Sequence, residues 1–290
     1  MLIDGYKTSA IQLFQIHSMN EFNFIPRVTL FNKSDKSEKY VSSYIIDVSH
    51  TINGMTKFVK NIGRIKPGES FYFDCKEMVR SEKNEECIIN FHLIPEKFYG
   101  TDEVSITREE LYFYLTCQDH YVEYYNASGF SSGVLYQSGP FNYKKFSAEA
   151  STIIQAPKVY SAKNVRTYMS FVNNSFADNY TTIAEVKCAL VDSKGSIIKQ
   201  WVEMIPPYTV KFVDLNFKEP TEKKLEAKGF YAVSKNVTLL PLTFTINSES
   251  GSLALEHSLP PMYYSPEVRG ALRTQIVKEL QSSSLFKELL

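Results

Sequence analysis

The segment His120-Tyr-Val-Glu-Tyr-Tyr-Asn126 gathers tyrosines, a carboxylate and a carboxamide within a few residues, and Tyr136, Phe141 and Tyr143 follow it. Aromatic faces pack against the C–H face of a pyranose, while carboxylate and amide groups reach its hydroxyls. Tyr121, Glu123, Tyr124, Tyr125 and Asn126 are therefore candidate ligand-binding residues, with His257 as a further one, and the ligand this chemistry suits is a glycan. The same residues also suit a plain structural strand, with one face buried and the tyrosine hydroxyls at its rim.

Other residue types offer less. Gly129-Phe-Ser-Ser-Gly133 spells the G-x-S-x-G of a nucleophile elbow, but that motif needs a strand turning into a helix, and Val-Leu-Tyr-Gln-Ser-Gly-Pro140 after it reads as strand and loop. The five histidines (His17, His50, His92, His120, His257) form no HxH, HxxxH or HExxH, so no metal or other cofactor is expected. His257 follows Glu256 where a strand runs out, and the pair is the alternative catalytic site, for an enzyme or accessory subunit acting on polysaccharide. His257-Ser-Leu-Pro260 also matches His92-Leu-Ile-Pro95, whereas a rival alignment sets Leu111–Asn126 against Leu240–His257. Both registers stay open.

The elements that must carry these residues come from a self-resemblance. Arg27-Val-Thr-Leu-Phe-Asn-Lys-Ser34 lies over Tyr168-Met-Ser-Phe-Val-Asn-Asn-Ser175, and Ile65–Asp74 lies over Ile205–Asp214, both at an offset of about 140 residues. Strand-like runs fall at 9–17, 26–32, 40–48, 69–74, 86–93, 111–117 and 120–125. In the second half they fall at 167–173, 182–191, 196–204, 208–215, 229–234, 238–246 and 252–257. Turn signals such as Asn53-Gly54, Pro67-Gly68 and Glu249-Ser-Gly251 separate them. The expected fold is all-β: tandem antiparallel β-sandwiches at 1–145 and 146–264, then a C-terminal amphipathic helix at 265–290. That helix starts at Ser265-Pro266-Glu267 and carries an apolar stripe of Val268, Leu272, Ile276 and Leu280.

Charge narrows the partners. Lys plus Arg number 32 and Asp plus Glu 32, so no net field draws the chain to nucleic acid or to an anionic membrane. No window approaches the ~18–20 apolar residues of a membrane span. Met1-Leu-Ile-Asp-Gly-Tyr-Lys shows no signal-peptide pattern, and Cys75, Cys87, Cys117 and Cys188 lack CxxC spacing, so a cytoplasmic chain with reduced thiols is expected. The terminal helix makes a homo-oligomer or a protein partner the expected use of that segment.

Ile205-Pro-Pro-Tyr-Thr-Val-Lys-Phe-Val-Asp-Leu-Asn216, with Phe230-Tyr-Ala-Val-Ser-Lys-Asn-Val-Thr-Leu-Leu-Pro-Leu-Thr-Phe244, resembles the sensory-rhodopsin transducer family over part of the second half. The resemblance implies a cytosolic, oligomeric β-sandwich without catalysis, and it assigns no functional residue. Together these readings lead to a non-catalytic binding or scaffolding protein whose ligand is a glycan or a partner protein.

Overall fold

The computed structural model describes residues 2–3, 6–7, 9–33, 42–79, 85–101, 103–107, 110, 118–136, 151–175, 180–191, 197–216, 226–235, 237 and 239–256. The segment 265–290, Cys117, Phe141 and Tyr143 lie outside the described residues. The fold is all-β, and the chain divides into two compact units. The first comprises Met1–Tyr143 with Ser175–Tyr180 and Tyr208–Val210, the second the remainder. Among the described residues no helix is long and apolar enough to cross a membrane.

The first unit contains β1 (Leu2–Ile3), β2 (Tyr6–Lys7), β3 (Gln12–His17), β4 (Ile25–Asn32), β5 (Tyr44–Ile52), β6 (Met55–Ile65), β7 (Ser70–Asp74), β8 (Ile88–Pro95), β9 (Ser105–Ile106), β10 (Gln118–Tyr125) and β11 (Ser131–Tyr136). Its main sheets run β3-β8-β5-β6 and β11-β10-β4-β7, each four-stranded, and a small sheet β2-β1-β9 accompanies them. β4 shows why the sequence forms these elements. Along IPRVTLFN, half-buried and buried residues alternate strictly, so Val28 and Leu30 point into the core while Arg27 and Thr29 point out. The sheets close on Phe14, Phe91, Val28, Leu30 and Val122, all fully buried, and Phe73 of one sheet meets Phe91 of the other edge-on at 5.6 Å. Each such side chain contributes about 1.5–3 kcal/mol by leaving water.

The second unit contains β12 (Ser151–Ser161), β13 (Val165–Asn173), β14 (Ala184–Val191), β15 (Ile197–Ile205), β16 (Thr209–Asp214), β17 (Glu226–Lys235), β18 (Leu240–Asn247) and β19 (Ser252–Glu256). Its sheets run β12-β17-β14-β15 and β16-β13-β18-β19 around Met169, Phe171, Val186, Leu190 and Phe230, with Trp201 packed against them. Read in chain order with β9 of the small sheet left out, this is the connectivity of the first unit: β12–β17 stand for β3–β8, β18 for β10 and β19 for β11.

Individual residues repeat with it. Asn32 donates through Nδ2 to the carbonyls of Ser42 (2.9 Å) and Ile65 (3.3 Å). Asn173 donates in the same way to Thr182 and Ile205, both at 2.9 Å. Each asparagine pins the end of its inner strand to the edge strand of the other sheet. The turn that follows differs in chemistry but not in shape. Gly68 takes φ 81° after Pro67, and Tyr208 takes φ 58° after Pro207, a left-handed backbone that glycine adopts freely and tyrosine does not. β8 thereby stands against β17, and His257 lies outside the described residues.

β6 and β15 are edge strands with little burial, and they expose large apolar side chains. Phe58 and Met55 are 54% and 72% exposed on β6, and Val202 and Met204 are exposed on β15.

Candidate functional site

Strand β10 divides the predicted ligand-binding residues between two environments. His120, Val122 and Tyr124 point into the core of the first unit, whereas Tyr121, Glu123 and Tyr125 lie half-buried on the outer face. Tyr124 is 1% exposed and donates its hydroxyl to the carbonyl of His17 at 2.8 Å, so it is a core residue with a satisfied polar end. Asn126 is a turn residue. Its Oδ1 accepts from the amides of Ser128 (3.1 Å) and Phe130 (3.2 Å) and closes the β10–β11 hairpin. Asn247 does the same between β18 and β19. That hairpin, strand–turn–strand, contains Gly129-Phe-Ser-Ser-Gly133, so the serine does not stand on a nucleophile elbow.

The outer face gains partners that the sequence does not place beside β10. Arg27 of β4 is in register with Glu123 on one side and Asp74 of β7 on the other; Thr29 is in register with Tyr121 and with Tyr72. Arg27 donates through Nε to Glu123 Oε2 at 2.7 Å, and its guanidinium lies 4.9 Å from the centre of the Tyr125 ring. Tyr125 reaches across β4 and donates its hydroxyl to Asp74 Oδ2 at 2.8 Å. Tyr72 is 55% exposed. Tyr121 lies over Gly133 of β11, where a Cβ would stand 1.9 Å from its hydroxyl oxygen, so the glycine makes room for the ring.

These groups hold fixed charge. The hydrogen bond from Arg27 holds Glu123 below the usual carboxylate range, and the same contact raises the guanidinium. Burial, then the Asp74 carboxylate, pushes Tyr125 up to about 12. Near neutral pH Glu123 thus presents a charge and Tyr125 a neutral hydroxyl.

Three of the histidines and three of the cysteines are enclosed. Burial lowers His17 and His92 to about 4 and His120 to about 3. His92 is held between Ser9 Oγ (2.8 Å) and Ser49 Oγ (2.7 Å), and Ser49 is 1% exposed. Cys75, Cys87 and Cys188 are free and buried, and burial raises all three thiols, Cys87 to about 11. Glu256 closes β19, exposed and in register with Thr243, and His257 lies outside the described residues. Among the described residues no cluster of His, Cys, Asp and Glu is arranged to hold a metal ion.

The second unit does not repeat the polar face. Counting by the shared connectivity, Tyr168, Phe244 and Phe212 stand where Arg27, Glu123 and Tyr72 stand in the first. Tyr168 and Phe244 stack at 5.4 Å, and Phe212 meets Phe244 edge-on at 5.6 Å.

No family model matches the chain, and no curated protein matches it. Among solved structures it is similar to a Bacteroides uniformis beta-glucuronidase at 9% identity and a TM-score of 0.18, over 84% of this chain and 25% of that one. It is also similar to a glycosyl hydrolase family 2 member from Bacteroides cellulosilyticus (9%, TM-score 0.20, 85% and 28%). A third is the M60 catalytic domain with CBM51-1 and CBM51-2 domains from Clostridium perfringens ZmpB (10%, TM-score 0.19, 77% and 31%). The chain thus spans under a third of the length of each. Likeness at this level says nothing of ligand or activity.

Proposed function

We propose that this protein binds a glycan, without catalysis, on the outer face of the β11-β10-β4-β7 sheet of its first unit. The observation that carries this reading is the row Tyr121–Thr29–Tyr72, two tyrosines flanking a small side chain, beside the linked Glu123, Arg27 and Asp74. A pyranose laid across Thr29 meets aromatic surface at both ends, while its hydroxyls reach two carboxylates and a guanidinium whose geometry is set before binding. Preset partners reduce the ordering cost of association, and the face spends none of these side chains on the inter-sheet core. The test is a glycan array probed with the purified chain and with Tyr72→Ala and Tyr121→Ala. Binding by the parent, lost in both variants at unchanged melting temperature, supports the reading. An array that stays blank for the parent defeats it.

A second reading is favoured by β6. An edge strand with exposed Met55, Phe58 and Val59 offers unpaired backbone and apolar surface to a second copy of the chain. Light scattering of the parent and of Phe58→Lys tests it: a dimer in the parent that dissociates in the variant supports the assembly, and a monomeric parent excludes it.

A further inference from the structure

Resting on the glycan reading, we infer that the ligand of this face is a neutral glycan and not one bearing uronate or sulfate groups. The four strands of the sheet, IPRVTLFN, SFYFD, QDHYVEYY and SSGVLY, contain a single Lys or Arg side chain, Arg27, against Asp74, Asp119 and Glu123. That one cation is already engaged. Its Nε is bonded to Glu123, its plane covers Tyr125, and Tyr125 in turn is tied to Asp74. An anionic sugar that reaches Arg27 stands beside two carboxylates in register on either side of the guanidinium. Like charges brought together in this way exclude a ligand more effectively than extra contacts select one. A neutral pyranose meets no such penalty, because its hydroxyls can donate to Glu123 and Asp74 and accept from the guanidinium.

The experiment is titration calorimetry of the full chain against neutral hexasaccharides (cellohexaose, mannohexaose, xylohexaose) and acidic ones (oligogalacturonate, a heparin hexasaccharide). Each is measured at low and high salt, and again with Asp74→Asn and with Glu123→Gln. The expected result is binding of at least one neutral probe, with little dependence on salt, and acidic probes weaker by about tenfold or more. The two variants, their folding checked by thermal melts, narrow that gap by releasing Arg27 or removing a repelling charge. Tighter binding of an acidic probe that weakens with salt overturns the inference and leaves the glycan reading standing. Absence of binding to every probe removes both.

Discussion

The ring of Tyr121 lies across Gly133 of the neighbouring strand so closely that a Cβ there would stand 1.9 Å from the tyrosine oxygen and 2.3 Å from the carbon bearing it. The two residues are on adjacent strands of one face, and the obstacle to a side chain at 133 is the far end of a movable ring. Gly133→Ala is therefore expected to displace Tyr121 while changing stability by less than about 1 kcal/mol. Glycan affinity should fall as far as in Tyr121→Ala, read by calorimetry alongside a urea melt. Unchanged affinity would mean that the ring position is immaterial to binding.

The alternation along β10 separates tyrosines that are adjacent in sequence. Tyr124→Ala empties a fully enclosed site and should cost about 3–5 kcal/mol, and Tyr124→Phe, losing only the bond to the His17 carbonyl, about 1 kcal/mol. Tyr121→Ala and Tyr125→Ala should stay well below the first figure, since both rings are on the outer face. Equal destabilisation by all three alanines in denaturant melts would refute the assigned strand facing.

Asn32 and Asn173 hold matching junctions in the two units. Replacing either with Ala leaves two backbone carbonyls without their side-chain donor, at a cost of about 1–3 kcal/mol. Each substitution should lower the melting temperature of the chain, and hydrogen exchange should report the loosening at Ile65 in one variant and at Ile205 in the other. Loosening at both sites in both variants would contradict this local role.

Acid should destabilise the first unit before carboxylates titrate. His17, His92 and His120 are held neutral in the folded chain, at about 4, 4 and 3 against an ordinary 6.5, because burial disfavours the imidazolium. The unfolded chain then binds more protons below pH 6.5. Stability is full above that value, falls as pH drops through it, and stops falling once the folded-state values are passed near pH 4 to 3. Each pH unit in that window costs about 1.4 kcal/mol per histidine. Urea melts between pH 7.5 and 5 should show the loss, and His120→Phe, which keeps the packing on Phe14, should make it shallower. A flat profile in the parent would show that these imidazoles are not neutral by enclosure.

Much of the fold is legible along the chain because strand alternation and turn residues are local. The Arg27–Ser34 and Tyr168–Ser175 pairing, for instance, locates β4 and β13 correctly. β6 escapes notice: Met-Thr-Lys-Phe-Val-Lys-Asn-Ile-Gly-Arg-Ile is exposed along most of its length, so no buried face imposes a period of two. β12 likewise falls outside the strand-like runs read from the sequence.

The candidate site divides along the same line. The sequence by itself determined that Tyr121, Glu123 and Tyr125 share one side of a strand and that Tyr124 takes the other, because the period of a strand is two. Which side meets the core, and that Arg27 and Asp74 stand beside them, only the tertiary structure decided. Those partners are 96 residues from Glu123 and 51 from Tyr125. They meet through the register of three antiparallel strands, which the hydrophobic closure of the whole sandwich sets and no local spacing encodes.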